Sequence, residues 1–495
     1  MTIEQNSIWF LLNGEAVTVQ NQSPTRSVLS FLRQEKGLVG TKEGCAEGDC
    51  GACTVVVGEL VKGELQTRTV NACILFLPTL DGKALFTVEY LRRMNDELHP
   101  VQQAMVDCHG SQCGFCTPGI VMSLWDKYNE YSESDTRPDR QELADHLSGN
   151  LCRCTGYKPI LEAGWKMFEL PASPLSRQPI IDALSQYSRK DSLQLNHPEA
   201  RFDAPRSLPE LTSLRATRPE ATILAGGTDV GLWVNKLVRP VTDIIYLGNV
   251  AELKNTHTED GQLHIGAGVS LSDAYAQTVE HYPQLLEMEK RFASVPVRNS
   301  GTLGGNVANG SPIGDSMPWL IALGAQVQLI GQESQRTLAL EALYTGYMQN
   351  CMRDDEVIAS IIIPLPTEGQ QFRTYKLSKR FDSDISAVCA AFNLVLHDGI
   401  IRSARIAFGG MAATSQRASA CEASLVGRPW TEETLKSAQQ ALSGDYSPMS
   451  DMRASASYRQ RTCVNLLQRY YLESRPDKPL DEHQTSVFAR AQVSA

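Results

Sequence analysis

Gly44-Cys45-Ala46-Glu47-Gly48-Asp49-Cys50-Gly51-Ala52-Cys53 sets three cysteines and three glycines within ten residues. With Cys73 further along it supplies four thiols. Cys113-Gly114-Phe115-Cys116 and Cys152-Arg153-Cys154 supply four more, so eight of the thirteen cysteines fall into two sets. Four thiolates can hold zinc or iron, and spacing separates the two. Zinc sites usually pair two CxxC knuckles, or cysteines with histidines. C-x4-C-x2-C with a remote fourth cysteine is the plant-type [2Fe-2S] arrangement, and the first set has that spacing. Gly44, Gly48 and Gly51 suit it, because a backbone without Cβ can bring N–H groups close to the cluster sulfides. A zinc knuckle and buried apolar cysteines are the competing readings. The second set, read alone, admits a zinc site or a redox dithiol as well.

Composition narrows the class. The 495 residues allow three or four domains, and 42% hydrophobic with 21% charged residues is an ordinary globular profile. Forty-six basic against fifty-six acidic residues leave a net charge of −10, which argues against a nucleic-acid partner. No apolar run approaches the roughly 18 residues of a membrane span, and no signal-peptide layout opens the chain, so no membrane association is expected. Clustered cysteines predict a reducing compartment, with the cytoplasm as the default.

Working outward from the first cysteine set, residues 7–20 predict two strands turning at Asn13-Gly14. Ser27 to Glu35 predicts a short helix burying Val28, Leu29 and Leu32, and Cys53 to Val57 opens another strand. This suits a ferredoxin-like β-grasp over residues 1–85. Residues 86–170 predict a helical bundle. Thr117 is its expected N-cap with Pro118 behind it, and Ile120, Val121, Leu124, Trp125 and Tyr128 form an apolar face. Cys116 then lies at a helix N-terminus, where the dipole favours a thiolate. Pro159 to Glu169 predicts a helix turning Ile160, Leu161, Gly164, Trp165 and Phe168 inward, so that the bundle shields the second set from water. Cys108 fits neither spacing and reads as a buried thiol. Residues 171–200, rich in Pro, Ser and Gln, read as a linker.

Residues 201–368 predict an α+β domain with two glycine-rich stretches. The first follows the strand Ala221 to Ala225 as Gly226-Gly227-Thr228-Asp229. The second runs from Arg298 to Asp315 and contains Gly301, Gly304, Gly305, Gly310 and Gly314. Small polar residues at this density make a poor core and suit backbone laid against a ligand's polar chain; a turn cap is the alternative for Asp229 and Asp315. Neither stretch is GxGxxG, which disfavours a Rossmann site. Residues 369–480 predict a C-terminal α+β domain. Its strands are Phe372 to Leu377, Cys389 to Leu396 and Ile400 to Phe408, with a turn at Asp398-Gly399, and its helices are Thr431 to Leu442 and Ala454 to Tyr471. The second helix is expected to line up Tyr458, Thr462, Leu466 and Arg469. The chain from Ser474 is expected to fray, with 481–495 as a tail.

Cys45 to Thr54, Gln112-Cys113-Gly114-Phe115-Cys116-Thr117-Pro118-Gly119 and Gly149-Asn150-Leu151-Cys152-Arg153-Cys154-Thr155-Gly156-Tyr157 together resemble the iron-sulfur half of the molybdenum hydroxylases. That family includes xanthine dehydrogenase, aldehyde oxidase and carbon monoxide dehydrogenase. The resemblance implies two [2Fe-2S] clusters, on Cys45, Cys50, Cys53, Cys73 and on Cys113, Cys116, Cys152, Cys154, the second set being nearer molybdenum. Both glycine stretches resemble the family's FAD-binding domain. Leu224, Ala225, Gly226, Gly227, Thr228, Asp229 and Val230 would meet FAD, as would Thr302, Gly304, Gly305 and Asn306. Asp315 and Lys376 would hold polar groups of the flavin nucleotide, and Phe292 and Ile358 would pack near its rings. The resemblance further implies the small subunit of a split bacterial enzyme of the xanthine dehydrogenase kind. A large partner subunit would carry the molybdopterin cofactor and hydroxylate hypoxanthine and xanthine to urate, in a heterotetramer of two small and two large subunits. Electrons would leave through FAD to NAD+, an acceptor suggested by the flavin-side segment holding Arg380 and Asp384. An aldehyde oxidoreductase or an oxidase with another acceptor is the enzymatic alternative, and a cluster-bearing sensor or scaffold is the non-enzymatic one. No residue of this chain is expected to attack the purine.

Overall fold

The computed structural model describes residues 6–94, 97–134, 136–187, 189 and 191–486. They form two compact units. One holds the chain up to Ala251 together with Ser294–Gly301, and the other holds Glu252–Ala293 and the chain from Thr302. Helix and strand are mixed throughout. Among the described residues no helix is long and apolar enough to cross a membrane.

In the first unit, β1 (Ser7–Leu12) and β2 (Glu15–Gln20) pair antiparallel. The turn between them places Asn13 and Gly14 at φ 52° and 83°, the left-handed pair that suits the twist of a two-residue hairpin. β3 (Thr54–Val61), β4 (Glu64–Asn71) and β5 (Ala84–Phe86) complete a sheet of order β2-β1-β5-β3-β4, with β5 parallel to β1. Ser27 caps the expected helix by accepting the Ser30 N–H, and Val28, Leu29, Phe31 and Leu32 are buried beneath it.

The helices Pro100–Asp107, Thr117–Tyr131, Arg140–His146 and Lys158–Lys166 follow. The apolar face from Ile120 to Tyr128 is buried as its periodicity requires. Two details differ from expectation. The cap of Thr117–Tyr131 is Cys116, not Thr117, whose hydroxyl shares a hydrogen bond with Ser111 instead. In Lys158–Lys166 the buried face is Ile160, Ala163, Gly164 and then Met167, while Trp165 is 44% exposed. The inner stripe is thus turned by one position, because alanine and methionine carry it rather than the larger ring.

Residues 171–200 are not a structureless connection. Arg177–Gln186 is a helix burying Ile180 and Leu184, and β6 (Leu193–Asn196) buries Leu193 and Leu195 alternately. Such short elements give the sequence too few periods to register. β6, β7 (Arg201–Ala204), β8 (Thr222–Leu224) and β9 (Asp243–Tyr246) form a sheet of order β6-β7-β9-β8. Leu193, Phe202, Leu224 and Ile244 share one core with Phe10, Phe31, Val55 and Phe76, so apolar packing crosses the expected boundary at residue 201.

In the second unit, β10 (Thr256–Glu259), β11 (Gln262–Gly266), β12 (Gln326–Ile330) and β13 (Gln335–Ala339) precede a small hairpin of β14 (Tyr344–Gly346) and β15 (Gln349–Asn350). With β16 (Val357–Pro364) they give a sheet of order β10-β11-β16-β12-β13. β17 (Gln370–Leu377), β18 (Val388–His397), β19 (Ile400–Gly409) and β20 (Gln416–Arg417) make an antiparallel sheet in chain order. The helices Glu432–Asp445 and Ala456–Ser474 cover it around Phe392, Phe408, Leu435 and Tyr470. The inner stripe of the latter is Arg459, Thr462, Cys463, Leu466, Leu467 and Tyr470, and Tyr458 faces outward at 49% exposure. Ser474, expected to begin a frayed end, is buried and accepts the Trp430 indole N–H at 3.0 Å. Of the expected tail, residues 487–495 lie outside the described residues.

Candidate cluster and flavin sites

The first cysteine set is built by one loop and the end of one strand. Cys53 and Cys73 are buried, while Cys45 and Cys50 are half-buried. The Cys50 and Glu47 N–H groups point at Cys45 Sγ from 3.3 and 3.4 Å, and Asn71 ties the loop down by donating to the Gly48 carbonyl at 3.0 Å. Hydrogen bonds from the Cys50 and Cys73 thiols hold Cys45 far below the ordinary thiol range. Those same bonds push Cys50 and Cys73 up, and a bond from Cys73 lowers Cys53 against the opposing effect of burial. The thiols are thus linked in pairs, Cys45 with Cys50 and Cys73, and Cys73 with Cys53, so that ionising one opposes ionising the next and all four together need an added positive charge. A positively charged iron core would supply what the set lacks, so the donor chemistry fits a [2Fe-2S] cluster.

The second set sits between helix ends. Cys113 and Cys154 Sγ stand 3.6 Å apart, Cys152 Sγ is 3.2 Å from the Thr155 hydroxyl, and the Tyr157 hydroxyl accepts the Cys152 N–H at 2.9 Å. Burial and a hydrogen bond to Cys152 push Cys116 up to about 12. Cys113 and Cys154 are exposed, as are Phe115, Leu151 and Tyr157 beside them, so within this chain the bundle does not enclose the set. Cys108 is half-buried, with its thiol raised by desolvation. Among the described residues no three or more His, Cys, Asp or Glu side chains meet in the manner of a single-ion site. The reading of both sets as cluster sites rests on their spacing and on the pairwise approach of their sulfurs.

The first glycine stretch continues β8. Leu224 and Val230 are buried, Ala225 to Thr228 are half-buried, and Asp229 is the exposed N-cap residue of the helix Val230–Asn235, its carboxylate making no cap bond. A Cβ on Gly226 would lie 1.8 Å from the Ser300 carbonyl oxygen, so the turn is pressed against that backbone. A Cβ on Gly231 would lie 2.7 Å from the Ile74 carbonyl oxygen, and Asn235 Nδ2 donates to the Cys73 carbonyl at 2.7 Å. The helix leaving the glycine turn therefore lies on the residues that carry the fourth thiol of the first cysteine set.

In the second unit, Thr302 caps the helix Leu303–Asn309, so much of the second glycine-rich stretch is helical. Its Oγ1 accepts the Gly305 N–H at 3.0 Å, the Val269 and Ala267 carbonyls accept the Leu303 and Gly304 N–H groups, and the Thr302 carbonyl accepts that of Asn306. These four N–H groups are spent inside the chain. Gly304 is a packing glycine, because an added Cβ would meet Ala267 at 2.4 Å. What remains for a ligand is the exposed Gly305 and the buried Asn306 Oδ1, which has no hydrogen-bond partner among the described residues. That orphaned acceptor matches a hydroxyl or amide donor of a nucleotide. Asp315 and Lys376 are buried and pair with each other at 2.7 Å, and Ser386 donates to the other Asp315 oxygen at 2.7 Å. Phe292 and Ile358 are buried, Phe292 beside the Tyr275 ring and Ile358 paired with Leu329.

Sequence reasoning passes over Asn71, Asn150 and Asn235, whose carboxamides bind cysteine-bearing loops. Only Asn150, inside the motif Gly149 to Cys152, carries a local signal.

Four family descriptions match in order along the chain: the 2Fe-2S iron-sulfur cluster binding domain over 10–77, the [2Fe-2S] binding domain over 87–164, the FAD binding domain in molybdopterin dehydrogenase over 198–366, and the CO dehydrogenase flavoprotein C-terminal domain over 373–474. Xanthine dehydrogenase of Drosophila subobscura is 33% identical over 94% of this chain, and xanthine dehydrogenase/oxidase of Gallus gallus 30% over 94%. The chain spans 39% and 40% of the lengths of these relatives. Among solved structures, a chain of carbon monoxide dehydrogenase from Hydrogenophaga pseudoflava matches with TM-score 0.52 and 28% identity, over 55% of this chain and 96% of its own. One of quinoline 2-oxidoreductase from Pseudomonas putida 86 matches at 0.51 and 28%, over 58% of this chain and 100% of its own. Two [2Fe-2S] binding domains, an FAD-binding domain of the molybdopterin dehydrogenase kind and a flavoprotein C-terminal domain, in that order in one chain, make it similar to the portion of the xanthine dehydrogenases that it spans.

Proposed function

We propose that this chain is the electron-transfer subunit of a xanthine dehydrogenase. A molybdenum-binding large subunit would oxidise hypoxanthine and xanthine to urate with its molybdopterin cofactor. Cys113, Cys116, Cys152 and Cys154 would hold the cluster that receives the electrons, and Cys45, Cys50, Cys53 and Cys73 the cluster that passes them to FAD. The two clusters carry electrons singly, and FAD supplies the conversion to a two-electron hydride for NAD+. In the first unit Leu224 to Val230 are proposed as flavin-nucleotide contacts. In the second, Gly305 and Asn306 are proposed separately as contacts, and Thr302, Gly304, Asp315, Lys376, Phe292 and Ile358 as the residues that would shape the backbone and packing beside them. The Asp315–Lys376 pair would act by fixing the strand that carries Lys376, since each spends its charge on the other. A heterotetramer of two small and two large subunits in the cytoplasm completes the reading.

The observation that carries the order of the cofactors is the contact of Gly231 and Asn235 with Ile74 and Cys73. It sets the helix after the FAD-domain glycine turn against the first cysteine set, whereas Cys113 and Cys154 are exposed. The acceptor rests on the segment Ser378 to Ile385. There Asp384 accepts the Lys379 and Arg380 N–H groups at 2.9 and 3.0 Å, which, against partial burial, keep its carboxyl below the ordinary range and so charged.

Anaerobic titration of the purified complex with NADH tests this reading, with visible absorbance and low-temperature EPR recorded together. Bleaching of flavin with two distinguishable [2Fe-2S] signals is expected. Reduction by dithionite but not by NADH would remove NAD+ as acceptor and favour an oxidase or an aldehyde oxidoreductase; aldehyde oxidase 4 of Cavia porcellus is also a relative, at 29% identity. A colourless protein carrying zinc would overturn the cluster reading.

A further inference from the structure

We propose that Asn150 is a positioning residue for electron passage between the two cysteine sets, holding a backbone hydrogen bond that links them. The proposal rests on the cluster reading above. The Leu151 N–H donates to the Cys50 carbonyl at 3.0 Å. Cys50 belongs to the first set, and Leu151 is bonded to Cys152 of the second. A route from set to set therefore runs through Cys50 and its carbonyl, this hydrogen bond, the Leu151 backbone and Cys152, with no side chain along it but those of the two cysteines.

The Asn150 carboxamide fixes that geometry from one residue away. It is 3% exposed, and both of its ends are used. Nδ2 donates to the Gly51 carbonyl at 3.2 Å and to the Thr54 hydroxyl at 3.1 Å, while Oδ1 accepts the Ser123 hydroxyl at 2.7 Å. Gly51 follows Cys50 and Thr54 follows Cys53, so one side chain clamps both ends of the Cys50–Cys53 segment to the chain entering Cys152. Ser123 anchors the clamp to the helix that begins beside Cys116. The close approach depends on glycine: a Cβ on Gly51 would lie 2.1 Å from the Gly149 carbonyl oxygen, and one on Gly119 2.1 Å from that of Gly51. Only a carboxamide offers two donors and an acceptor in this arrangement. An aspartate would set a carboxylate against the Gly51 carbonyl, and an apolar side chain would leave buried groups unpaired.

In the step served, one electron would pass from a reduced centre held by the second set to an oxidised centre held by the first, the one being oxidised and the other reduced by one electron. No bond is made or broken and no proton moves. The test uses the purified full-length protein with its cofactors, as wild type, Asn150→Ala and Ser123→Ala. Iron content and EPR of both centres are measured first, then the rate at which electrons redistribute between the centres after a pulse of reductant. Absence of two [2Fe-2S] signals in the wild type would overturn the cluster reading and this proposal with it. With both signals present, Asn150→Ala is expected to keep the iron and slow redistribution by about tenfold, in the range seen when outer partners of metal ligands are removed. Two intact signals with an unchanged rate, even with lowered thermal stability, would reduce Asn150 to a structural brace and overturn the proposal. Where Asn150→Ala loses a signal, Ser123→Ala decides, since it keeps the carboxamide and deletes one partner: a slower rate supports the proposal and an unchanged rate overturns it.

Discussion

The two cysteine sets carry the same four donors in different surroundings. The first is wrapped by its own chain: Cys53 and Cys73 are 2% exposed, within the core that contains Phe31 and Val55. The second is assembled from two loops at helix ends, with Cys113 and Cys154 facing outward. A wrapped site joins the integrity of its cluster to that of the fold, whereas a site at helix ends leaves the fold nearly independent of its ligands. Thiol spacing thus specifies the chemistry, while the surrounding packing specifies what else fails when that chemistry is removed.

The largest effect is expected where the sets touch. In Gly51→Ala the new Cβ would collide with the Gly149 carbonyl oxygen at 2.1 Å, at a φ of 68° that already disfavours a side chain. Overpacking of this kind costs about 3 kcal/mol, and since neither backbone can retreat alone, both cluster signals should weaken together. Iron analysis and EPR check this. Loss of only the first signal would mean that the sets are less joined than their contact implies.

Single ligand removals should separate the sets. Cys113→Ser is expected to delete one EPR signal and leave the other signal, the flavin and the thermal unfolding of the protein almost unchanged. Cys53→Ser should delete the other signal and also lower stability by about 1–3 kcal/mol, because a hydroxyl replaces a thiol in an apolar interior. Equal stability losses for the two variants would erase the distinction between wrapped and open sites.

Acid should act on the frame of the second set before that of the first. No histidine precedes His99 in the chain. In the bundle, burial lowers His99 and His146 from 6.5 to about 4. His99 Nδ1 accepts the Val101 N–H at 3.2 Å and its Nε2 lies 3.0 Å from the Ser173 carbonyl, an arrangement that requires the neutral ring. Between pH 6.5 and 4 the unfolded chain binds a proton that the folded chain refuses. The contribution of each histidine is therefore complete above pH 6.5 and is lost as the pH falls towards 4. A shift of this size corresponds to about 3 kcal/mol. Burial raises Asp126 from 3.8 to about 6, which works in the opposite direction between those values and offsets one histidine in part. His99→Gln should therefore flatten the fall in stability between pH 6.5 and 4, as measured by denaturant unfolding. An unchanged slope would place the acid sensitivity elsewhere.

What the sequence disclosed is local. The Asn13-Gly14 hairpin, the buried face from Ile120 to Tyr128 and the strands around Asp398-Gly399 each carry their signal within a few residues. The cysteine spacing does so too. What it concealed depends on partners far along the chain. Asp315 and Lys376 appear in the sequence as two separate polar candidates and in the structure as one buried pair across 61 positions. Asn235 reaches Cys73 across 162 positions, a bond that no periodicity announces. Trp165 shows the converse failure: a large apolar ring draws the helix stripe towards itself on paper, yet the neighbouring small residues are the ones that fit.

The smallest effect should come from the counterpart of Gly51 in the second set. Gly114 has a φ of 83°, as left-handed as Gly51, yet a Cβ added there meets nothing within 4 Å. The two glycines thus share a conformational demand and differ in space, so Gly114→Ala isolates the backbone cost alone, roughly 1–2 kcal/mol for a side chain in this region. Because Cys113 and Phe115 are exposed and a Cβ on Gly114 meets open space, the turn is expected to relax without moving the Cys50–Cys53 segment. The second signal should persist with a small shift, and the first should not change. Should Gly114→Ala instead abolish the second signal, backbone geometry rather than packing would govern that set, and the contrast with Gly51 would no longer hold.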